Sequence, residues 1–197
     1  MRALIIGGTG TLGTAAQAAL EPTYETVVAS RSTDPSVDIT DEASIEALFE
    51  TVGEVDAVVV AAGAVPFKRL TALTSEDYTS AFTGKVLSQL NVVRIGLPYV
   101  TDGGSFTLTS GILSREPIAA SAAAAMANGA LESYVMAAAP ELPRGIRINV
   151  VSPSVLESST RHHAAFPGFT PVADEAVGQA YLRSVAGART GRTLPLD

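Results

Sequence analysis

Residues 1–20 read MRALIIGGTGTLGTAAQAAL, and this stretch decides the fold. An apolar run over Ala3–Ile6 ends in two glycines, and an alanine-rich segment, Thr14 to Leu20, follows directly after the glycine-rich turn. A strand that passes through such a turn into a helix is the context in which a glycine motif binds a dinucleotide. The stretch therefore predicts a strand, a phosphate-binding turn and a helix at the start of an α/β fold.

The turn carries glycines at three evenly spaced positions, Gly7, Gly10 and Gly13. Glycines in such a turn permit a tight bend, let the backbone approach a pyrophosphate, and let the helix pack closely on the strand. The free N–H groups at the helix start would face the anion, and threonine hydroxyls would add donors. The residues expected to contact the pyrophosphate are Gly7, Thr9, Gly10, Thr11, Leu12 and Gly13.

The end of the second apolar run, Thr26–Ala29, indicates which dinucleotide is bound. A fold that selects NAD typically places a carboxylate there to accept hydrogen bonds from the adenosine ribose. Here the run is followed by Ser30, Arg31 and Ser32. A guanidinium between two hydroxyls suits a 2′-phosphate through charge-assisted hydrogen bonds, and no acid stands at this place to repel it. The pattern predicts NADP(H), with a solvated surface arginine as the alternative.

Apolar runs of strand length alternate with helical patterns along the whole chain. This alternation is typical of a parallel sheet covered by helices, so we expect an α/β fold with a single doubly wound parallel sheet of Rossmann type and helices on both faces. Without a linker or repeat, residues 1–197 are expected to form one NADP(H)-binding domain. The expected strands are Ala3–Ile6, Thr26–Ala29, Ala57–Ala61, Ser105–Thr109, Arg147–Val151 and an edge strand at Gly191–Leu196.

Helix starts are marked by capping residues. Thr40-Asp41 precedes one helical pattern, and the capping box over residues 74–77 opens another that we expect to reach about Pro98. The glycine turn at residues 102–104 is expected to feed the next strand. Two further helices are predicted, at about Ser121 to Ala139 and at Ala173–Val185.

Composition excludes several classes of protein. With no cysteine and two histidines, neither a disulfide nor a metal site is expected. The net charge of −7 and the scattered arginines argue against nucleic-acid binding. The N-terminal residues lack the features of a signal peptide, and no apolar run is long enough to span a membrane, so we expect a cytoplasmic protein.

With these motifs in place, the chain resembles the short-chain dehydrogenase/reductase family along nearly its whole length. Residues 38–41 (DITD) are similar to the family's Asp-Val-x-Asp segment, residues 61–63 (AAG) to its Asn-Ala-Gly element, and residues 147–154 (RINVVSPS) to its Arg-Val-Asn-x-Val-x-Pro-Gly segment. The resemblance implies adenine contacts at Asp38 and Ile39. It also implies ribose contacts at Ala61, Ala62 and Gly63, and nicotinamide contacts at Pro153, Ser154 and Val155.

The resemblance fails at the residues that normally carry the family's chemistry, a Tyr followed four residues later by a Lys. Alignment of the corresponding helix puts Ala124 at the Tyr position and Asn128 at the Lys position. None of the five tyrosines in the chain is followed by a lysine at that spacing. The usual proton relay is therefore expected to be absent.

Three residues are the candidates for catalysis. Ser110 lies within one residue of the family's catalytic Ser, and Lys85 stands where the family has an upstream Asn. The alternative for Lys85 is a surface lysine that extends to water. His162 lies in the expected substrate loop at about 154–171 and is a natural proton donor near neutral pH, or else an ordinary surface histidine. Phe166 in the same loop is expected either to cover the substrate or to anchor the loop.

These inferences lead to an NADP(H)-dependent oxidoreductase that moves hydride to or from a small carbonyl or alkene as the first hypothesis. A non-catalytic NADP(H)-binding sensor or partner protein stays open, as does a non-redox cyclase, dehydratase or isomerase on the same fold. The small-residue face of the helix at residues 121–139 suits a homodimer, but it suits packing on the chain's own sheet equally well.

Overall fold

The computed structural model describes residues 1–197, which form six parallel strands in one sheet in the order β2-β1-β3-β4-β5-β6. This arrangement confirms the single parallel sheet of Rossmann type that the alternating pattern predicts. The strands are β1 (Arg2–Ile6), β2 (Glu25–Ala29), β3 (Val55–Val60), β4 (Val100–Thr109), β5 (Arg147–Pro153) and β6 (Arg192–Leu196).

Seven α-helices and one π-helical segment connect the strands. The π-helical segment spans Phe82–Leu87 and joins two α-helices into one irregular rod. The α-helices are α1 (Thr11–Leu20), α2 (Glu42–Val52), α3 (Ser75–Ala81), α4 (Ser88–Gly96), α5 (Ala122–Ala138), α6 (Thr160–His163) and α7 (Asp174–Ala186).

Helices cover both faces of the sheet, as predicted. On one face α2, α4 and α5 enclose a core that includes Phe49, Phe106 and Leu131. On the other face α1 and α7 enclose a second core around Leu20 and Tyr181. Because side chains on both faces of the strands are buried, the strands have nearly continuous apolar sequences.

The strand order reverses between β1 and β3, which lie side by side although β2 separates them in the chain. In open α/β sheets, ligands bind in the crevice beyond the carboxyl ends of the strands at such a reversal. The glycine turn after β1 and the residues after β3 meet at this point, since the Ala61 N–H donates to the Ile6 carbonyl at 2.8 Å.

Two local predictions differ from the structure. β4 begins at Val100 rather than Ser105, because the expected turn at residues 102–104 is an irregularity within the strand, with Gly103 at a φ of +73°. The predicted helix over residues 74–98 contains the π-helical segment, in which the Ser88 N–H bonds the Thr83 carbonyl five residues back. The pattern of apolar residues reveals neither feature, because each is a local irregularity within a longer helix or strand.

The predicted helix starts are confirmed. The Asp41 side chain accepts from the Ala43 N–H, and Thr74 and Asp77 form the reciprocal capping box at the start of α3. None of the helices combines the length and the apolar character that crossing a membrane requires.

The contact between α1 and α7 is tight at Gly178, and Gly129 in α5 provides an uncrowded comparison. A Cβ at Gly178 in α7 would lie 2.5 Å from the Ala15 carbonyl oxygen of α1, whereas a Cβ at Gly129 in α5 would meet nothing within 4 Å. We predict that Gly178→Ala lowers the free energy of unfolding by about 2 kcal/mol through overpacking. Gly129→Ala should raise it by about 0.5 to 1 kcal/mol, because alanine favours the helix. Urea denaturation measures both; a neutral Gly178→Ala would contradict the tight contact.

Candidate active site and cofactor cleft

The glycine turn is too crowded for side chains at two of its positions. A Cβ at Gly13 would collide with the carbonyl oxygen of Gly7, and a Cβ at Gly7 would lie 2.7 Å from the Ala61 carbonyl oxygen. Gly7 also has a φ of +84°, which favours glycine. The turn therefore presents bare backbone at the crevice, as close approach of a pyrophosphate requires.

The start of α1 is open to an anion. Its N-cap residue, Gly10, provides no side-chain cap, and the first turn contains no acidic residue. The first N–H groups of a helix lack intrahelical partners and carry the positive end of the helix dipole. Together these features make the α1 N-terminus a fitting receptor for a phosphate group.

A cavity of about 460 Å³ begins at this turn and extends beyond the end of β2. Its volume, polar rim and apolar walls suit the adenosine half of a dinucleotide. It brings together most of the residues predicted to bind cofactor: Gly7, Thr9, Gly10, Ser30, Arg31, Ser32, Asp38, Ile39, Ala61, Ala62 and Gly63.

Three residues predicted from the turn do not line this cavity. Thr11 is the first residue of α1 and borders a neighbouring depression between α1 and the start of α7. Gly13 is buried beneath the turn and acts by allowing close packing, while Leu12 lines the larger cavity described below. The glycine spacing predicted the turn but not the direction of each side chain along it.

Arg31 is exposed at the mouth of this cavity and forms no ion pair. The Ser30 and Ser32 hydroxyls lie 3.2 Å apart beside it. The expectation that no acid stands near this place needs correction, because the loop after β2 brings Asp38 into the same cavity. Hydrogen bonds from Thr40 lower the pKa of the Asp38 carboxyl, and the Arg31 charge lowers it further.

A second, larger cavity of about 730 Å³ adjoins the first, with Gly63 and Ala64 lining both. Most of the residues that line it are apolar, including Val65, Ile112 and Phe166. Its polar side chains are few and are those of Lys85, Ser110, Asn128, Ser154, Ser159 and His162. The two adjoining cavities suit a nucleotide that reaches from the glycine turn into an apolar substrate chamber.

Lys85 lies in the π-helical segment and lines the larger cavity. Its Nζ donates to the Ser110 backbone carbonyl at 3.2 Å, and its stem packs where a Cβ at Gly63 would be. The side chain therefore extends to the cavity and not along the surface, the alternative left open by the sequence. Burial lowers the pKa of Lys85 to about 8, and the Glu132 charge opposes that shift.

Ser110 is buried at the end of β4, and its Oγ donates to Glu132 Oε1 at 2.8 Å. The strand end before it is held firmly. Gln89 forms two hydrogen bonds of 3.0 Å with the Thr109 backbone, and the Thr109 hydroxyl donates to the Val60 carbonyl at 2.6 Å. Ser110 and Lys85, predicted separately from the sequence, are thus adjacent in the structure.

The sequence interpretation missed Glu132. Its Oε1 accepts hydrogen bonds from Ser110, Ser114, Ser152 and Arg115 at 2.8 to 3.1 Å. A signal was present, since Glu132 is the only charged residue within α5. Spacing along the sequence does not show that the helix turns this carboxylate toward the ends of β4 and β5.

The residues aligned with the family's Tyr and Lys, Ala124 and Asn128, lie on the buried side of α5 and line the larger cavity. Asn128 donates to the Gly111 carbonyl at 3.1 Å, but its Oδ1 is buried without a hydrogen-bond partner. The hydroxyl of Ser154, another residue that lines this cavity, is also buried without a hydrogen-bond partner. Unpaired buried polar atoms are costly, so a ligand in this cavity would gain by supplying their partners.

His162 lines the outer part of the same cavity on α6, but it is exposed and accepts from Arg161 Nε at 3.1 Å. It forms no hydrogen bond with Ser110 or Lys85. In the same loop Phe166 lines the cavity and packs edge-to-face against Phe169, with ring centroids 5.5 Å apart. Phe166 therefore both faces the substrate side and anchors the loop.

Comparison with known proteins identifies the family. A family model described as enoyl-(acyl carrier protein) reductase matches residues 8–190 of the chain. Together with the parallel sheet and the glycine turn, this match shows that the chain belongs to the short-chain dehydrogenase/reductase family, as its motifs suggested.

Individual relatives agree with this assignment. The crystal structure of the Listeria innocua protein lin1944 matches over the full length of both chains, with 45% identity and a TM-score of 0.98. A small-chain dehydrogenase in complex with NADPH matches all of this chain and 96% of its own, with 29% identity and a TM-score of 0.88. An uncharacterised oxidoreductase of Methylorubrum extorquens is 30% identical over 63% of this chain. The chain spans about half the length of that curated relative.

The position of Lys85 predicts its titration. We expect the Lys85 ammonium to lose its proton near pH 8, because burial disfavours the charged form. The chain has only one other lysine, the half-exposed Lys68, which serves as an internal control. NMR of protein labelled with ¹³C- and ¹⁵N-lysine follows both groups. Titration of Lys85 near the ordinary lysine pKa of 10.5 would show that Lys85 is solvated.

Proposed function

We propose that this protein is an NADP(H)-dependent oxidoreductase that transfers hydride between the nicotinamide and a small, largely apolar carbonyl compound or alkene. One observation supports it above all others. The cleft at the start of α1 adjoins, at Gly63 and Ala64, an apolar chamber that contains Lys85 and Ser110.

The cofactor cleft fits NADP(H) residue by residue. The glycine turn and the α1 N-terminus would hold the pyrophosphate, and Arg31 with Ser30 and Ser32 would hold the 2′-phosphate. Asp38 would accept from the adenine amino group while its charge partly offsets that of Arg31. The NADPH complex of a relative with 29% identity supports the choice of this cofactor.

Pro153, Ser154 and Val155 line the chamber and would hold the nicotinamide half beside it. The Ser154 hydroxyl and the Asn128 carbonyl oxygen, both without partners in the protein, would bind donor groups of the cofactor or substrate there. When bound, the nicotinamide supplies the hydride chemistry. The protein positions the reactants and handles the charge that develops on oxygen.

Lys85 is the group best placed to handle that charge. One of its three N–H bonds is used by the Ser110 carbonyl, which leaves two for a substrate oxygen. A pKa of about 8 keeps the ammonium mostly protonated at neutral pH, so it can stabilise negative charge on that oxygen. Ser110 lies on the same wall and fixes the position of the oxygen.

A non-catalytic NADP(H)-binding protein is the second candidate, and the observation that favours it is the presence of Ala124 and Asn128 in place of the family's Tyr and Lys. This candidate and the enzyme share the cofactor cleft and differ only in turnover. Incubation of the protein with NADPH and a panel of small ketones and enones, such as cyclohexanone and cyclohexenone, separates them by the loss of absorbance at 340 nm.

The role of Arg31 predicts a selective loss of affinity. Arg31→Ala should weaken NADPH binding by at least about tenfold, because it removes charge-assisted hydrogen bonds to the 2′-phosphate. NADH binding should stay within about twofold. Isothermal titration calorimetry measures both, and Arg189→Ala, a change of an exposed arginine remote from the cleft, is the control. An equal loss for both nucleotides would contradict selection by Arg31.

The role of Lys85 predicts a loss of turnover without a loss of cofactor. Lys85→Met keeps the apolar stem and removes the ammonium, so the rate of carbonyl reduction should fall about 100-fold or more. NADPH affinity should stay within about threefold. Lys68→Met, at an exposed residue that lines neither cavity, is the matched control and should leave the rate unchanged. Full activity in Lys85→Met would exclude the ammonium from the chemistry.

A further inference from the structure

Glu132 gathers hydrogen bonds to one carboxylate oxygen from three separate segments of the chain. Ser110 approaches from the end of β4, Ser114 and Arg115 from the loop after it, and Ser152 from β5. All four groups donate, so Oε1 is the acceptor at the centre of this cluster. Arg115 already pairs with the Glu132 charge, so the three hydroxyl donors are additional to that ion pair.

Only one member of this cluster reaches the substrate chamber. Ser110 lines the larger cavity, whereas Glu132, Ser114, Arg115 and Ser152 do not. Because the Ser110 hydroxyl donates its hydrogen to Glu132, the lone pairs of its Oγ are left to accept a hydrogen bond from a substrate hydroxyl in the chamber that Ser110 lines. A substrate hydroxyl can donate to Ser110 and accept from Lys85 at the same time.

We propose that Ser110 and Glu132 form the proton relay of this site and take the place of the missing Tyr and Lys. This inference rests on the proposed function. During alcohol oxidation the C–H bond breaks with its electron pair passing to NADP⁺, and the carbonyl double bond forms. The alcohol proton moves to Ser110 Oγ as the Ser110 proton moves to Glu132 Oε1. During reduction each step runs in reverse.

Solvent access and a second carboxylate on Arg115 support Glu132 as the acceptor of the relay. Its side chain is 17% exposed, so the proton can pass on to water. Arg115 pairs with both Glu132 and Asp197, at 3.1 and 3.2 Å. When Glu132 is protonated, the guanidinium keeps the second carboxylate and is not left as an unpaired charge.

Lys85 and the relay have separate tasks. The ammonium lies against the Ser110 carbonyl and stabilises negative charge on the substrate oxygen, but a charged ammonium cannot accept a proton. The carboxylate of Glu132 can accept that proton. Glu132 acts on substrate only through Ser110 and is therefore a positioning residue, while Ser110 and Lys85 contact the reacting group.

The test uses the full-length protein with NADP⁺ and cyclohexanol as the probe alcohol. Glu132→Gln keeps the size of the side chain but removes the proton acceptor, so kcat should fall about 100-fold with the KM for NADP⁺ within about twofold. The relay also predicts that an acid limb of the wild-type pH profile is absent from this variant. The charged groups nearest to Glu132, Arg115 and Lys85, are unchanged in this variant.

Ser114→Ala is the matched control, because it removes another hydrogen bond to the same oxygen without touching the route from the chamber. Its kcat should stay within about threefold of the wild type. An equal loss in Glu132→Gln and Ser114→Ala, or an acid limb retained in Glu132→Gln, would overturn the relay and leave a structural cluster.

A double-mutant cycle keeps the proposal testable if Glu132→Gln folds poorly. Ser110→Ala leaves the Arg115 ion pair intact and should reproduce both the loss of kcat and the loss of the acid limb. The double variant should be no slower than either single variant, since residues of one relay act as a unit. Additive losses would overturn the relay. Wild-type protein that oxidises neither cyclohexanol nor any other small alcohol would instead overturn the proposed function, and the relay with it.

Discussion

The close approach of three backbone segments at the end of β1 is the constraint on which the rest of the structure depends. Gly7 and Gly13 leave no room for a Cβ between the turn, the first turn of α1 and the residues after β3. This contact places the open helix N-terminus at the reversal of strand order, where parallel sheets bind ligands. The segment after β3 that meets the turn also contains Gly63, which packs against Lys85. The proposed pyrophosphate site and the Lys85 side chain are therefore positioned by the same segment.

The part of the site that contains Lys85 and Ser110 depends more on irregular backbone than on regular helix or strand. The π-helical segment places Lys85 at the chamber, in accord with the frequent occurrence of such turns at functional sites. The two hydrogen bonds between Gln89 and the Thr109 backbone fix the end of β4, and therefore Ser110. From α5, the Glu132 carboxylate accepts a hydrogen bond from the Ser110 hydroxyl. An apolar chamber lined by Lys85 and Ser110 suits the proposed polarisation of a single substrate oxygen.

Much of this could be predicted from the sequence, because local patterns determine it. The glycine turn, the parallel sheet and the helix caps follow from residue spacing. Ser110 and Lys85 are identified as catalytic candidates by their positions in the family's motifs. The sequence could not show that Glu132 faces the ends of β4 and β5, or that the loop after β2 brings Asp38 near Arg31. These relations join residues far apart in the chain, and tertiary packing alone determines them.

The central claim is that the backbone of the glycine turn and the start of α1 receive the pyrophosphate of NADP(H). A crystal structure of the protein soaked with millimolar NADPH tests it most directly. The account predicts density for the pyrophosphate within about 3 Å of the N–H groups at the start of α1, with the 2′-phosphate against Arg31. A nucleotide bound elsewhere on the molecule, or an empty turn at saturating NADPH, would contradict the account.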